Sequence, residues 1–216
     1  MAEKRGFIFD LMDQLENNSN IHRVLIEQLE NKLQRNIVVY HANLGHPVSL
    51  MLDHDAEVLE NVLSTLDRGR YEQRLDLFIH TPGGLPEAAA KIVRVCRAYS
   101  TGFRVVVPST AMSAGTLLAM GSDEIVMSDT SKLGPIDPQM PQADRSGRQF
   151  LRPAKSYIDA FSALITECHR EIAAKRPAQA FMHLLNNQDP SWIIECQRAR
   201  KATEKLAFDF LTSVDT

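Results

Sequence analysis

The apolar positions of this chain follow two spacings, which alternate between residues 36 and 140. Short, mostly apolar runs, typical of buried strands, occupy residues 37–40, 75–79, 103–107 and 124–127. Apolar residues at intervals of three and four, typical of helices, occupy residues 55–63, 86–99 and 114–120. Because this alternation repeats at about thirty residues, it predicts a parallel sheet connected by right-handed β-α-β crossovers.

Helical spacing also flanks this alternating core. It occupies most of residues 7–35, with a turn at 17–20, and it returns at 156–175 and 192–211. Residues 129–148 are rich in Gly, Pro, Ser and Asp, which predicts an active-site loop. We therefore expect one domain over residues 1–216, with a helical extension at 1–35, a β-α core at 36–140 and a helical part at 150–216.

Composition and charge exclude several classes of protein. The net charge is −3 with no basic block, so we expect no binding to nucleic acid. No apolar run approaches the roughly 20 residues of a membrane span, and the amino terminus lacks the apolar core of a signal peptide. The three cysteines, Cys96, Cys168 and Cys196, have no ligand spacing and fit packing roles in a reducing compartment. We expect a cytoplasmic protein without membrane insertion.

Two strand-to-helix turns carry the candidate chemistry. The motif Thr81-Pro82-Gly83-Gly84 follows the second predicted strand, and Met112-Ser113-Ala114-Gly115 follows the third. Such turns expose backbone N–H groups at one edge of a parallel sheet. The sequence therefore predicts an oxyanion hole from the Gly83–Gly84 pair and Ala114, with Gly84 as the first donor and Ser113 as the nucleophile. Taken alone, each motif also fits a tight turn or a plain helix N-cap.

The order of motifs resembles a known superfold over about residues 35–175. It comprises a strand, TPGG, a helix, a strand, SAG, a helix, a strand and LGPIDPQ at 133–139. This order resembles the Clp protease/crotonase superfold, and within it the serine dehydrogenase proteinase family, relatives of signal peptide peptidase A and the Clp proteolytic subunit. The resemblance implies an α/β fold, a ββα superhelix of repeated β-α units with helical N- and C-terminal flanks. It also implies a nucleophile at Ser113 and oxyanion donors at Gly84 and Ala114.

The general base is not given by the same motifs. Clp proteolytic subunits take a histidine from the loop after the strand that follows the nucleophile helix, whereas residues 133–139 contain none. Relatives of signal peptide peptidase A use a lysine, which accepts a proton near neutral pH when desolvation lowers its pKa. Lys155 is the preferred candidate, and Lys132 or a residue of a neighbouring subunit are the alternatives. Asp137 is a supporting residue that orients the base or the substrate, or forms a turn.

The leading hypothesis is a homo-oligomeric serine peptidase that hydrolyses peptide or protein substrates through Ser113 and Lys155. It needs no organic cofactor, and the histidines lack metal-site spacing, so no metal is expected. Superfold relatives form rings or stacked trimers, which implies subunit interfaces in the helical flanks. Two alternatives keep the fold: a crotonase-like enzyme that stabilises the enolate of an acyl-CoA thioester, and a catalytically inactive peptide-binding scaffold.

Overall fold

The computed structural model describes residues 21–44, 49–67, 69–143 and 146–213, and a parallel four-stranded sheet lies at its centre. The strands in this part of the chain are β1 (Asn36–His41), β2 (Arg74–His80), β3 (Gly102–Val107), β4 (Thr110–Ala111), β5 (Glu124–Met127), β6 (Lys132–Leu133), β7 (Gln139–Ala143) and β8 (Gln149–Pro153). The helices are α1 (Ile21–Leu33), α2 (Asp53–Ser64), α3 (Pro86–Tyr99), α4 (Ala114–Met120), α5 (Ala154–Ala173), α6 (Gln179–Asn186) and α7 (Pro190–Ser213), with a short 3-10 helix at Arg70–Gln73.

The central sheet has the strand order β1-β2-β3-β5, and all neighbouring strands are parallel. Helices α2, α3 and α4 lie in the crossovers, as expected for β-α-β units. Strands β4 and β6 form a separate parallel pair, and β7 and β8 form an antiparallel hairpin. The turns that follow β2 and β4 consequently meet beyond the carboxyl edge of the central sheet, where a backbone bridge joins Thr81 to Ala111.

The two faces of the sheet carry different side chains because successive residues of a strand point in opposite directions. One face is apolar and buried, and it packs on the helices through residues such as Leu77, Ile79 and Val105. On the other face the fully buried carboxylate of Asp76 accepts hydrogen bonds from Arg35 and Arg104. Pairing of this kind offsets the desolvation of a buried charge. It also joins β2 to β3 and to Arg35, the residue before β1, near the amino edge of the sheet.

The C-terminal helices pack on one another and on the core. Helix α5 lies against α7, where the rings of Tyr157 and Trp192 meet edge to face with centroids 6.2 Å apart. Helix α7 also contacts α4, so the C-terminal part packs on the helix that follows Ser113. The three cysteines are buried free thiols, which confirms their expected packing role. No helix among the described residues is long and apolar enough to cross a membrane.

The structure confirms the α/β fold and the predicted β-α alternation, while one loop prediction is wrong in part. Residues 129–148 contain β6 and β7 in addition to irregular segments. These strands are short and partly exposed, and Pro141 lies within β7, so no apolar run marks them. Helix α6 lies between the two predicted C-terminal helices and was not predicted separately. The helices predicted before residue 21 lie outside the described residues.

Candidate active site

Ser113 occupies the N-cap position of α4 in a conformation that side-chain-bearing residues rarely adopt. Its φ is 51° and its ψ is −116°. An ordinary N-cap serine has extended backbone angles, and its hydroxyl accepts a hydrogen bond from an amide of the first helical turn. The Ser113 hydroxyl makes no such bond, nor any other hydrogen bond with a described residue. Helix capping therefore does not account for this serine, and strain of this kind is typical of functional sites.

Gly83 is the point at which the two turns touch. Its φ is 95°, and a Cβ atom at this position would lie 2.4 Å from Met112 O, 2.7 Å from Ser113 Cβ and 3.0 Å from Ala114 N. Only glycine permits so close an approach. The amide of Gly83 donates to Thr81 Oγ1 at 3.0 Å, so it is already engaged inside its own turn. The approach places the backbone of the TPGG turn directly against the nucleophile candidate.

Gly84 is held in place by the segment that precedes α2. Met51 N donates to Gly83 O at 2.8 Å, and Leu85 N donates to Met51 O at 2.9 Å. A Cβ atom at Gly84 would lie 2.2 Å from Met51 O, so this position also requires glycine. The parallel bridge uses the carbonyl of Gly83 and the amide of Leu85, and it leaves the Gly84 amide itself without an acceptor among the described residues.

The second unengaged amide is that of Ala114, the first residue of α4. A first-turn amide has no acceptor within its helix, and no described residue supplies one from outside. Ala114 is fully buried. Buried backbone N–H groups are nearly always paired, so this amide is a candidate donor to a bound group. The two turns that meet at Gly83 and Ser113 thus each carry an unengaged amide, that of Gly84 and that of Ala114.

The LGPIDPQ segment lies beside the nucleophile turn, and the buried hydroxyl of Thr116 connects the two. Thr116 Oγ1 lies 3.0 Å from Ala111 O and 2.9 Å from Gly134 O, and it accepts the Gly134 amide at 3.1 Å. The Gly134 amide also lies 3.1 Å from Ala111 O, which completes the pairing of β4 with β6. A Cβ atom at Gly134 would lie 2.5 Å from Met112 Cε. Thr116 and Gly134 were not singled out by the sequence analysis.

Lys155, the candidate general base, contacts Asp137, the supporting candidate. Asp137 Oδ2 accepts the backbone amide of Lys155 at 3.1 Å, which anchors the start of α5 to the LGPIDPQ segment. The Lys155 ammonium pairs with Asp159 one turn further along α5, and 57% of the Lys155 side chain is exposed. No hydrogen bond joins Lys155 to Ser113 within the described structure. Beside Lys155, a cavity of about 300 Å³ is also lined by Arg200 and Glu204 of α7.

Lys132, the second candidate base, is exposed on β6, where it stands opposite Thr110. Its backbone amide donates to Ser109 O at 2.7 Å. The structure therefore brings Gly83, Gly84, Ser113 and Ala114 together, and it joins Asp137 to Lys155. It leaves both lysines without a hydrogen bond to Ser113 in the described conformation.

A pair of histidines at the same sheet edge extends the site. His41 and His80 end β1 and β2 in register, and their rings stack with centroids 4.9 Å apart and planes inclined by 12°. Burial, together with the neighbouring His41, lowers the pKa of His80. An apolar pocket of about 280 Å³ lies beside the rings, with Val39, Phe78 and Pro108 in its lining. The sequence indicates only that both histidines end strands; the stacking depends on the strand register.

A parallel β-α core with a strained serine beside two glycine-containing turns places the chain in the Clp-like class of α/β proteins. A family model described as ClpP-like SDH-type serine proteinase matches residues 11–190. The chain belongs to this family of serine-type peptidases.

Two curated relatives, both uncharacterized proteins of Methanocaldococcus jannaschii, show the extent of similarity. One, MJ0137, is 43% identical over 83 residues, which cover 38% of this chain and 29% of the relative. The other, MJ1495, is 32% identical over 120 residues, which cover 55% of this chain and 37% of the relative. The chain therefore matches well under half the length of either relative.

Among solved structures, one similar chain is a serine-to-alanine mutant of the 1510-N membrane-bound stomatin-specific protease. It is 17% identical, with a TM-score of 0.43, and the match covers 67% of this chain and 66% of that chain.

Proposed function

We propose that this protein hydrolyses peptide bonds in peptide or protein substrates, with Ser113 as the nucleophile and the amides of Gly84 and Ala114 as the oxyanion hole. Membership of a serine peptidase family supports the reaction class. The observation that carries the assignment of residues is the Ser113 turn itself. A strained serine with an unengaged hydroxyl precedes the unengaged Ala114 amide and contacts Gly83, and the next residue, Gly84, has a second unengaged amide. This arrangement is suited to nucleophilic attack and to stabilisation of the resulting charge.

In this mechanism Ser113 Oγ attacks the carbonyl carbon of the scissile bond while its proton passes to a general base. The carbonyl oxygen becomes an oxyanion that accepts the amides of Gly84 and Ala114. When the tetrahedral intermediate collapses, the C–N bond breaks and the base returns the proton to the leaving amine, which leaves an ester on Ser113. Water then repeats the sequence, so the carboxylic acid departs and the hydroxyl is restored.

Lys155 is the general base in this proposal. Its position supports the assignment, because the amide of Lys155 is anchored to Asp137, and the Asp137 segment is fastened beside the nucleophile turn through Gly134. The Lys155 ammonium contacts Asp159, so catalysis requires the side chain to leave Asp159 and to reach Ser113 in its neutral form. Lys132 and a residue of a neighbouring subunit are the competing bases.

Self-association and a cytoplasmic location complete the proposal. Exposed apolar side chains on the C-terminal helices support an interface between subunits, since Phe208 is 65% exposed and Leu211 is 56% exposed on α7. Three buried free thiols are compatible with a reducing compartment. Light scattering on a sizing column tests the first point, because self-association requires a mass that is a multiple of the 24.2 kDa chain.

The experiment that tests the proposal is intact-mass spectrometry after incubation with a fluorophosphonate probe. The wild type should gain one adduct, and Ser113→Ala should gain none, whereas Ser109→Ala, at a nearby exposed serine, should label normally. Lys155→Met should suppress labelling, and Lys201→Met, an exposed lysine on α7, should not. If Lys132→Met suppresses labelling and Lys155→Met does not, the general base is Lys132 on β6. A folded wild type that gains no adduct would refute catalysis and favour the scaffold.

The crotonase-like alternative has less support. Glu124, the carboxylate that such a reaction would recruit after the nucleophile turn, begins β5 and pairs with Arg104 at 3.6 Å. This places it at the amino edge of the sheet, whereas the two turns lie beyond the carboxyl edge. A thermal shift with coenzyme A would revive this alternative.

A further inference from the structure

Among the residues that the structure describes, Thr116 alone has a side chain that bonds both the nucleophile segment and the LGPIDPQ segment. Thr116 is the third residue of α4, counted from Ala114, and only 4% of it is exposed. A threonine in a helix usually turns its hydroxyl to a carbonyl of its own preceding turn. Here the hydroxyl reaches Ala111 O, on the strand before Ser113, and both backbone polar groups of Gly134.

The Thr116 hydroxyl gives the backbone amide and carbonyl of Gly134 more hydrogen-bond partners than strand pairing alone provides. The pairing of β4 with β6 gives the Gly134 amide one acceptor, Ala111 O, at 3.1 Å. Thr116 Oγ1 offers a second acceptor for that amide and a donor for the Gly134 carbonyl. Because the hydroxyl is buried, loss of these bonds would not be replaced by bulk water. Gly134 is thereby held at a fixed place beside Met112, the residue before Ser113.

A short, stiff segment connects Gly134 to the start of α5. Pro135 and Pro138 fix two of the backbone φ angles between Gly134 and the hairpin. Asp137 lies between them and accepts the amide of Lys155 at 3.1 Å. Pro138 O also accepts the amide of Ala154 at 2.8 Å, so two bonds attach the segment to the start of α5.

We propose that Thr116 is a positioning residue whose buried hydroxyl fixes the Gly134–Pro138 segment against the Ser113 turn and so sets the place of Lys155 relative to Ser113. This inference rests on the proposed function, because it takes Ser113 as the nucleophile and Lys155 as the base. Thr116 would control the distance between them without contacting the substrate or the transferred proton. General-base catalysis depends steeply on this distance.

The test compares Thr116→Val, which keeps the shape of the side chain but removes the hydroxyl, with Thr116→Ser, which keeps the hydroxyl. The control is Ser122→Ala, which removes another buried hydroxyl, one that links Ala119 O and Glu124 O at the far end of α4. For the fluorophosphonate probe, Thr116→Val should lower the bond-forming rate constant about ten- to a hundredfold with little change in probe affinity. Thr116→Ser and Ser122→Ala should stay within about threefold of wild type.

A second readout does not depend on activity. Hydrogen exchange followed by mass spectrometry should show faster exchange in the peptide that covers residues 133–139 and at the Lys155 amide in Thr116→Val, and no such change in Ser122→Ala. Unchanged exchange in these peptides would overturn the inference whether or not the protein is a peptidase. Equal loss of labelling in Thr116→Val and Ser122→Ala would also overturn it, since that pattern reflects general destabilisation. Absence of any adduct on the wild type would instead count against the proposed function.

Discussion

Ser113 holds a backbone conformation that costs free energy, and the residues around it maintain that conformation. Backbone angles of this kind cost on the order of 1–3 kcal/mol in a residue with a side chain. The turn is confined by the pairing of β4 with β6 before it, by α4 after it and by the contact with Gly83. Few other backbone conformations are open to it. The strain at Ser113, close to unengaged amides, supports a functional role for this residue.

The strain predicts an unusual stability result at position 113. Ser113→Gly should unfold at higher denaturant concentration than Ser113→Ala, with a difference of about 1 kcal/mol, because glycine adopts positive φ without steric cost. Both variants lack the hydroxyl, so neither should react with the fluorophosphonate probe. Equal midpoints in urea would indicate that the position is not strained.

Gly83→Ala tests the contact between the two turns. A methyl group would meet Met112 O and Ser113 Cβ, and the residue would have to keep a φ of 95°. We expect a loss of about 2 kcal/mol or more in the free energy of unfolding, together with loss of probe labelling. Gly102→Ala is the matched control, since a Cβ atom there has no atom within 4 Å. If both variants unfold at the wild-type midpoint, the close approach is not present in solution.

The Lys155–Asp159 pair predicts a change in the labelling rate. The pair holds the Lys155 side chain along α5, so Asp159→Asn should release it, while the other charged groups around it, Asp137, Arg200 and Glu204, remain. Labelling by the fluorophosphonate probe should become about two- to fivefold faster, a size suited to an exposed pair. Glu27→Gln, which breaks an equivalent pair with Arg23 on α1, should leave the rate unchanged. A wild-type labelling rate in Asp159→Asn would argue against Lys155 as the base.

At the scale of elements, the parallel register of β1 and β2 creates the stacked histidine pair. Burial and His41 disfavour the protonated form of His80, so its pKa lies below the ordinary value. The unfolded chain then binds more protons than the folded chain as the pH falls below about 6.5. Stability contributed by neutral His80 is present above that pH and is lost as the pH falls toward the folded pKa.

This linkage predicts that His80→Gln unfolds with a weaker pH dependence than wild type between about pH 7 and pH 5. Urea midpoints measured across this range provide the test. His54→Gln, at an exposed histidine on α2 that lies 3.4 Å from Glu57, should keep the wild-type dependence. An equally steep loss of stability in His80→Gln would assign the acid sensitivity to other groups.

Elements with strong periodicity were predictable from the sequence, and contacts between distant segments were not. Helix α3 runs from Pro86 to Tyr99 as predicted, because a proline suits the first helical turn and apolar residues follow at helical spacing. The pairing of β4 with β6 involves two residues on each strand, too few for a pattern. The bonds of Thr116 to Gly134 and of Asp137 to Lys155 join residues 18 positions apart, which no local pattern encodes.

At the scale of the whole molecule, the candidate site is assembled from several crossovers of one sheet. The TPGG turn, the Ser113 turn and the LGPIDPQ segment converge beyond the carboxyl edge of the sheet, where parallel α/β proteins place their ligands. The C-terminal helices join this region through Asp137 and Lys155 and through the contact of α7 with α4. The family match, over residues 11–190, covers the two turns, the LGPIDPQ segment and α5, and it ends where α7 begins.

The measurement that tests the central claim most directly is tandem mass spectrometry of the wild type after fluorophosphonate labelling, which reads the residue that carries the phosphonate. The account predicts a single modified residue, Ser113, and no modification once the protein has been unfolded before labelling. A phosphonate on another serine, or adducts that persist in the unfolded chain, would contradict the assignment of Ser113 as the nucleophile.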